Sequence, residues 1–70
     1  MTSYFTFGQT HVHSVNGKTF DKDCVVKITT AAPVEPRDKM VEFFGRKWAF
    51  EYDESTPPDM KHYPRGIFEL

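Results

Sequence analysis

The sequence predicts an α+β fold, with one short helix packed on a mostly antiparallel sheet of three to five strands. Three observations carry that expectation. Several short segments alternate apolar and polar residues with period two, and Arg37 to Phe44 places apolar residues at helical spacing. Isolated glycines and prolines punctuate the chain between them. At 70 residues this is a single small domain, spanning 1–70.

Tyr4-Phe5-Thr6-Phe7 is aromatic and β-branched and ends at Gly8, which reads as a strand with Phe5 and Phe7 on one face. His11-Val12-His13-Ser14-Val15 and Lys18-Thr19-Phe20 flank Asn16-Gly17. That dipeptide is a strong hairpin signal, because a two-residue type I′ turn needs positive φ at both central positions. Such a turn sets Val15 opposite Lys18, His13 opposite Phe20 and His11 opposite Lys22, all on one face of the ribbon. Cys24-Val25-Val26-Lys27-Ile28-Thr29 is the clearest strand, with Cys24, Val26 and Ile28 pointing one way.

Pro33 and Pro36 then interrupt the chain, and Pro36 suits the first turn of a helix, where its missing N–H costs nothing. Met40, Val41 and Phe44 form one apolar stripe, Gly45 sits where a left-handed C-cap belongs, and Arg46 and Lys47 follow the negative end of the dipole. Trp48-Ala49-Phe50-Glu51-Tyr52 alternates, which predicts a central strand with three aromatics on its core face. Asp53 to Gly66 holds Pro57-Pro58 and Pro64 and reads as a loop, with a turn around Asp59-Met60. Ile67 to Leu70 reads as a terminal edge strand. The strand–helix–strand unit from Cys24 to Tyr52 suggests one parallel pair.

Composition excludes several function classes. Nine basic against ten acidic residues give a net charge of −1, so there is no basic footprint for nucleic acid and no acidic excess of the kind a DNA mimic carries. The apolar stretches are too short to span a membrane, and the N-terminus shows no signal peptide. The single cysteine, Cys24, rules out an intrachain disulfide and favours a reducing, cytosolic home. A chain of this size buries only about 60% of its unfolded surface, so a homodimer interface or a bound ligand is a natural supplement.

Few residues carry chemistry. His11 and His13, two apart on a strand, have a recurrent metal-ligand spacing, with Cys24, Asp21, Asp23 or His62 as a third ligand for zinc. The competing reading sets both histidines beside a hairpin with Phe20 packed on one. Cys24 shares a face with Val26 and Ile28, which suits a buried thiol better than a nucleophile. Glu51, Asp53 and Glu54 read as a solvated edge rather than a catalytic pair. Trp48, Phe50 and Tyr52 beside Arg46 and Lys47 have the makings of a base-stacking platform, but the net charge favours a core face.

Met60-Lys61-His62-Tyr63-Pro64-Arg65 is richer. Met, Tyr and Arg are residue types enriched at protein interfaces, and here they sit with His62 on a proline-stiffened loop. Met60, His62, Tyr63 and Arg65, with Arg46 and Lys47, are therefore the candidate partner-binding residues. Replacing Tyr63 or Arg65 by alanine is expected to abolish binding and spare the fold. The alternative is a loop that folds back over one end of the sheet.

Two stretches carry a resemblance: Tyr4-Phe5-Thr6-Phe7-Gly8, and Met40 through Tyr52 with Phe44-Gly45-Arg46-Lys47-Trp48-Ala49-Phe50 at its centre. They resemble very small, uncharacterised proteins of tailed bacteriophages. The resemblance implies the cytoplasm of an infected bacterium and a non-virion accessory role. It carries over no catalytic residue. By analogy with anti-CRISPR inhibitors, it implies binding to and blocking of a bacterial host or defence protein. The expected function is that of a non-enzymatic, cofactor-free binding module. The alternative is a metal- or small-nucleotide-binding module on the His11/His13 face.

Overall fold

The computed structural model describes residues 1–15 and 17–70. Among them form six strands and one α-helix: β1 (Thr2–Thr6), β2 (His13–Val15), β3 (Lys18–Phe20), β4 (Cys24–Thr29), α1 (Pro36–Phe44), β5 (Phe50–Asp53) and β6 (Gly66–Glu69). A 3₁₀ turn spans Met60–His62. The fold is α+β, with a short helix on a mixed four-stranded sheet of order β5-β1-β4-β6 and a separate β2-β3 ribbon. No helix among the described residues is long and apolar enough to cross a membrane.

β1 pairs antiparallel with β4, Phe5 facing Val26, and antiparallel with β5, Tyr4 facing Tyr52. The parallel pair is β4 with β6, Val26 facing Phe68, rather than a pair within the Cys24–Tyr52 unit. β1 lies between β4 and β5 and separates them. The strands β4, β5 and β6 therefore all run one way, with β1 opposed. Moving from β4 to β5 and then back to β6 takes two crossovers in opposite directions. If both share a hand, they must lie on opposite faces of the sheet. The helix covers one face, and the 54–65 connection returns over the other.

On the helix face, Phe5, Phe7, Phe20, Cys24, Val26, Ile28, Met40 and Phe44 form the core, flanked by Val15, Trp48 and Phe68. The buried stripe of α1 is Pro36, Met40 and Phe44, one residue per turn; Val41, expected in that stripe, stands 45% exposed. Phe44 is the hub, its ring 5.1 Å from Phe7, 5.3 Å from Phe20 and 5.0 Å from His13. Edge-to-face pairs of this kind add about 0.5–1.5 kcal/mol each beyond burial. The helix is only nine residues long, so this packing rather than propensity holds it.

Glu35 and Asp38 form a capping box at the helix start, and Gly45, at φ +65°, ends it with its N–H on the Val41 carbonyl at 2.9 Å. The β2-β3 ribbon has the expected register, Val15 opposite Lys18 and His13 opposite Phe20. Gly17 has φ +80°, while Asn16, the other residue of the predicted turn, lies outside the described residues. His11 precedes β2 and does not join the ladder.

The aromatic strand departs most from expectation. β5 starts at Phe50 and lies at an edge, so Trp48 is not part of it. Trp48 turns to the helix side and packs edge-to-face on Phe5 at 5.1 Å. Phe50 and Tyr52, paired with Thr6 and Tyr4, take the opposite face, where Phe50 is 63% exposed. The break falls beside Gly8. Its φ of +68° ends the regular ladder just where Ala49 donates its last bond to the Thr6 carbonyl at 2.8 Å. The three aromatics therefore do not share a face.

Candidate functional site

The face opposite α1 is built from alternate residues of each strand: Tyr4 and Thr6, Val25 and Lys27, Phe50 and Tyr52, Ile67 and Glu69. The 54–65 connection is laid against it. Asp59 shapes that connection by accepting the Lys61 N–H at 3.1 Å, with the His62 N–H on the Asp59 carbonyl at 3.2 Å. The tight turn that results carries Tyr63 back to the sheet, where its half-buried side chain lines a hollow with Thr6 and Tyr52. Burial pushes the Tyr63 phenol above its ordinary range, with Tyr52 adding to the rise. Val25, on the same face, is fully buried, and Pro58 in the connection is buried as well.

Arg65 fastens the end of this connection. Its guanidinium donates to the Thr19 carbonyl at 2.7 Å, pairs with Asp21 at 3.3 Å and lies 5.4 Å over the Phe68 ring. Its own N–H bonds the Asp23 carbonyl at 2.9 Å. The loop does fold back, and two of its candidate binding residues, Tyr63 and Arg65, are used in folding it. Met60 is half-buried and His62 exposed.

What remains open on this face is a hollow of about 310 Å³ between Phe50, Tyr52, His62 and Tyr63, with Gln9 and Lys22 also lining it. Three aromatic rings, an imidazole, an ammonium and an amide make a surface suited to contact with a folded or extended polypeptide. Phe50, absent from the predicted set, is its most exposed ring. Its alternation was legible in the sequence, but edge placement and face are settled by the pairing with β1.

Arg46 and Lys47 lie elsewhere. Arg46 lines a second hollow, of about 490 Å³, with Arg37, Asp38, Val41, Trp48 and Ala49 on the helix side. Lys47 is exposed, and its carbonyl accepts from His13. The six candidate partner-binding residues are thus divided between the two sides of the sheet.

The candidate metal ligands are not gathered. Among the described residues no three His, Cys, Asp or Glu side chains come together. His13 Nε2 lies 2.6 Å from the Lys47 carbonyl, which can only accept, so that nitrogen carries the proton and is not free for a metal. Cys24 is fully buried; its Sγ accepts the Asp21 N–H at 3.3 Å and donates to the Asp21 carbonyl at 3.4 Å. Burial raises its thiol above the ordinary range, the reverse of what a nucleophile needs. Glu51 is ion-paired with Arg37 at 2.9 Å.

Comparison of the chain with protein-family models, with curated proteins and with solved structures finds no match.

Proposed function

We propose that this protein is a binding module that inhibits or modulates a bacterial protein through the outer face of its sheet. The observation that carries the reading is Phe50. A large apolar ring 63% exposed, flanked by Tyr52, Tyr63 and His62, costs hydration in the isolated chain and is the kind of anchor interfaces bury. The partner-binding set is accordingly Phe50, His62 and Met60, with Tyr63 and Arg65 shaping the platform from beneath.

The resemblance to small proteins of tailed bacteriophages suggests the partner class: a host or defence protein met in the cytoplasm of an infected bacterium. An anti-CRISPR-like role is one form of this reading. The alternative, a metal- or small-nucleotide-binding module on the His11/His13 face, would have to use His11 and the remaining nitrogen of His13.

The test is site-specific photocrosslinking. A benzophenone side chain at position 50 or 62, exposed to bacterial lysate, is expected to capture one discrete polypeptide. The same group at position 39, on α1, is expected to capture none. Equal capture from all three positions, or capture from position 39 alone, would remove the outer face from the reading. Phe50→Ser should abolish capture from position 62 while changing stability by no more than about 0.5 kcal/mol, as for other exposed sites.

A further inference from the structure

Strand β5 pairs with β1 and leaves its other side open. The backbone groups that face that side follow from the pairing of β1 with β4. Met1 and Thr30 exchange both backbone bonds, at 2.6 and 2.7 Å. Bonding alternates along antiparallel strands, so Ser3 and Phe5 turn to β4 while Tyr4 and Thr6 turn to β5. Their partners Tyr52 and Phe50 therefore spend their backbone groups on β1. That leaves the N–H and C=O of Glu51, and the N–H of Asp53, directed to the open side. The Asp53 carbonyl is already taken, by the Thr56 N–H at 3.1 Å. An open edge of this kind is a template for a further strand.

The charges along this edge are ordered. On the helix side Arg46 lines one hollow with Ala49 and Arg37, and Asp53 lines another with Glu51 and Arg37. A cation thus stands at the Ala49 end and an anion at the Asp53 end. Between them Arg37 and Glu51 neutralise each other at 2.9 Å. Arg46 and Asp53 are both exposed, and neither has an ion pair among the described residues. Such an edge is complementary to itself when reversed. The opposite edge, β6, is not: it carries Glu69, and the cation at its start, Arg65, is spent on Asp21.

We propose that β5 is the pairing edge of a homodimer, two copies meeting antiparallel across a two-fold axis at Glu51. The two Glu51 residues exchange backbone bonds, and each brings its own Arg37, so the axis gathers two neutral pairs rather than two bare carboxylates. Ala49 then lies opposite Asp53 of the partner subunit, which sets Arg46 beside that carboxylate, once on each side of the axis. Phe50 lies opposite Tyr52 of the partner subunit on the outer face. Opposite charges and aromatic rings set across from one another stabilise a strand pair. A copy shifted by two residues would instead face Glu51 with Asp53 of the partner subunit, twice, and like charges directly opposite are destabilising. The pairing joins the two four-stranded sheets into one and leaves the outer face open above Phe50. It does not rest on the partner reading, because it is tested on the purified chain alone.

Sedimentation velocity of the full chain, from about 10 µM to about 1 mM, is expected to pass from monomer to dimer. The dissociation constant should be about 100 µM, since a short strand edge makes an interface at the small end of specific contacts. Arg46→Glu and Asp53→Arg change exposed side chains, so each should melt with the parent and dimerise at least about tenfold more weakly. An equimolar mixture of the two should recover the parent's affinity, because every reversed residue then meets its complement. With one variant ¹⁵N-labelled, native mass spectrometry should show the mixed dimer in excess of either homodimer.

Glu51→Cys reads the register. Facing residues that exchange both bonds have Cα atoms about 5.5 Å apart, within disulfide reach. The variant should oxidise to a linked dimer at least about tenfold faster than Lys39→Cys on α1. Cys24 is buried and does not compete. The proposal is overturned by a chain that stays monomeric at about 1 mM, well above the expected constant. It is also overturned by single variants that dimerise like the parent, by a mixture that associates no better than its components, or by equal oxidation at positions 51 and 39.

Discussion

His13 and Lys47 are 34 residues apart in the chain, yet the imidazole Nε2 of one lies 2.6 Å from the backbone carbonyl of the other. The bond joins the β2-β3 ribbon to the segment leaving α1. The same ring stacks edge-on against Phe44 at 5.0 Å and lies 5.7 Å from Phe7. A histidine whose spacing invites a metal reading is here a structural clasp.

His13→Ala should therefore destabilise the fold by about 2 kcal/mol, from the lost aromatic contacts and the stranded carbonyl. For a domain of this size that is a drop of roughly 8–16 °C in melting temperature. Thermal melts with and without zinc check it: the loss is expected to be the same in both. A zinc-dependent rise in the parent that vanishes in the variant would restore the ligand reading.

Arg65→Ala was expected from the sequence to spare the fold, and its contacts now argue otherwise. It ties the returning loop to Thr19 and Asp21 and covers Phe68. With its side chain about one-third exposed, solvent screening limits the ion pair, and the total loss should be about 1–2 kcal/mol. Urea denaturation measures it directly.

The Asp21 carboxyl is held below its usual range, chiefly by the Asp23 N–H bonded to it at 3.0 Å, and further by Arg65, against an opposing effect of burial. A depressed folded-state value means that the contribution is fully present above the unfolded value, about 3.9, and is lost as pH falls through the lower folded value. Asp21→Asn should accordingly be less stable than the parent at neutral pH. The two should converge in strong acid. Parallel stability curves across that range would show that Asp21 titrates alike in both states.

Cys24 should be chemically silent in the native protein. Its thiol is fully buried and its ionisation is disfavoured first by that burial, so little thiolate forms near neutral pH. Labelling with a thiol reagent should proceed only as fast as the domain opens, and should accelerate with sub-denaturing urea. A fast, urea-independent reaction would show an accessible thiolate.

Gly8→Ala should cost at least about 1–2 kcal/mol, the penalty for a side chain in the left-handed region. The added methyl would also stand 3.1 Å from the Ala49 Cβ, at the point where β1 hands over to the Trp48 segment. Calorimetry should show the loss, and Ala49→Gly in the same chain should recover only the steric part.

Much of the architecture was readable because it is local. The alternation in Cys24–Thr29, the Asn-Gly register that pairs Val15 with Lys18, and the Pro36 start and Gly45 stop of α1 all depend on neighbours a few residues away. The site was less readable. Tyr63 and Arg65 have the composition of interface residues, but composition does not reveal that Tyr63 is half-buried against the sheet or that Thr19 and Asp21 hold the Arg65 guanidinium internally. Phe50 looked like core for the converse reason: an apolar residue in an alternating strand is buried only if the face it points to is covered.

The sequence by itself determined which segments become strand, ribbon and helix, since backbone propensity and side-chain period act within a few residues. It also determined that Cys24 has no disulfide partner in the chain and that charge is nearly balanced. Only the tertiary structure decided that β1 lies between β4 and β5, which turned the expected parallel pair into β4 with β6 and made β5 an edge. That choice sent α1 and the 54–65 connection to opposite faces. It left Phe50 in solvent and buried the Trp48 N–H without a partner among the described residues, because the environment of a side chain is set by which distant segments pack over it.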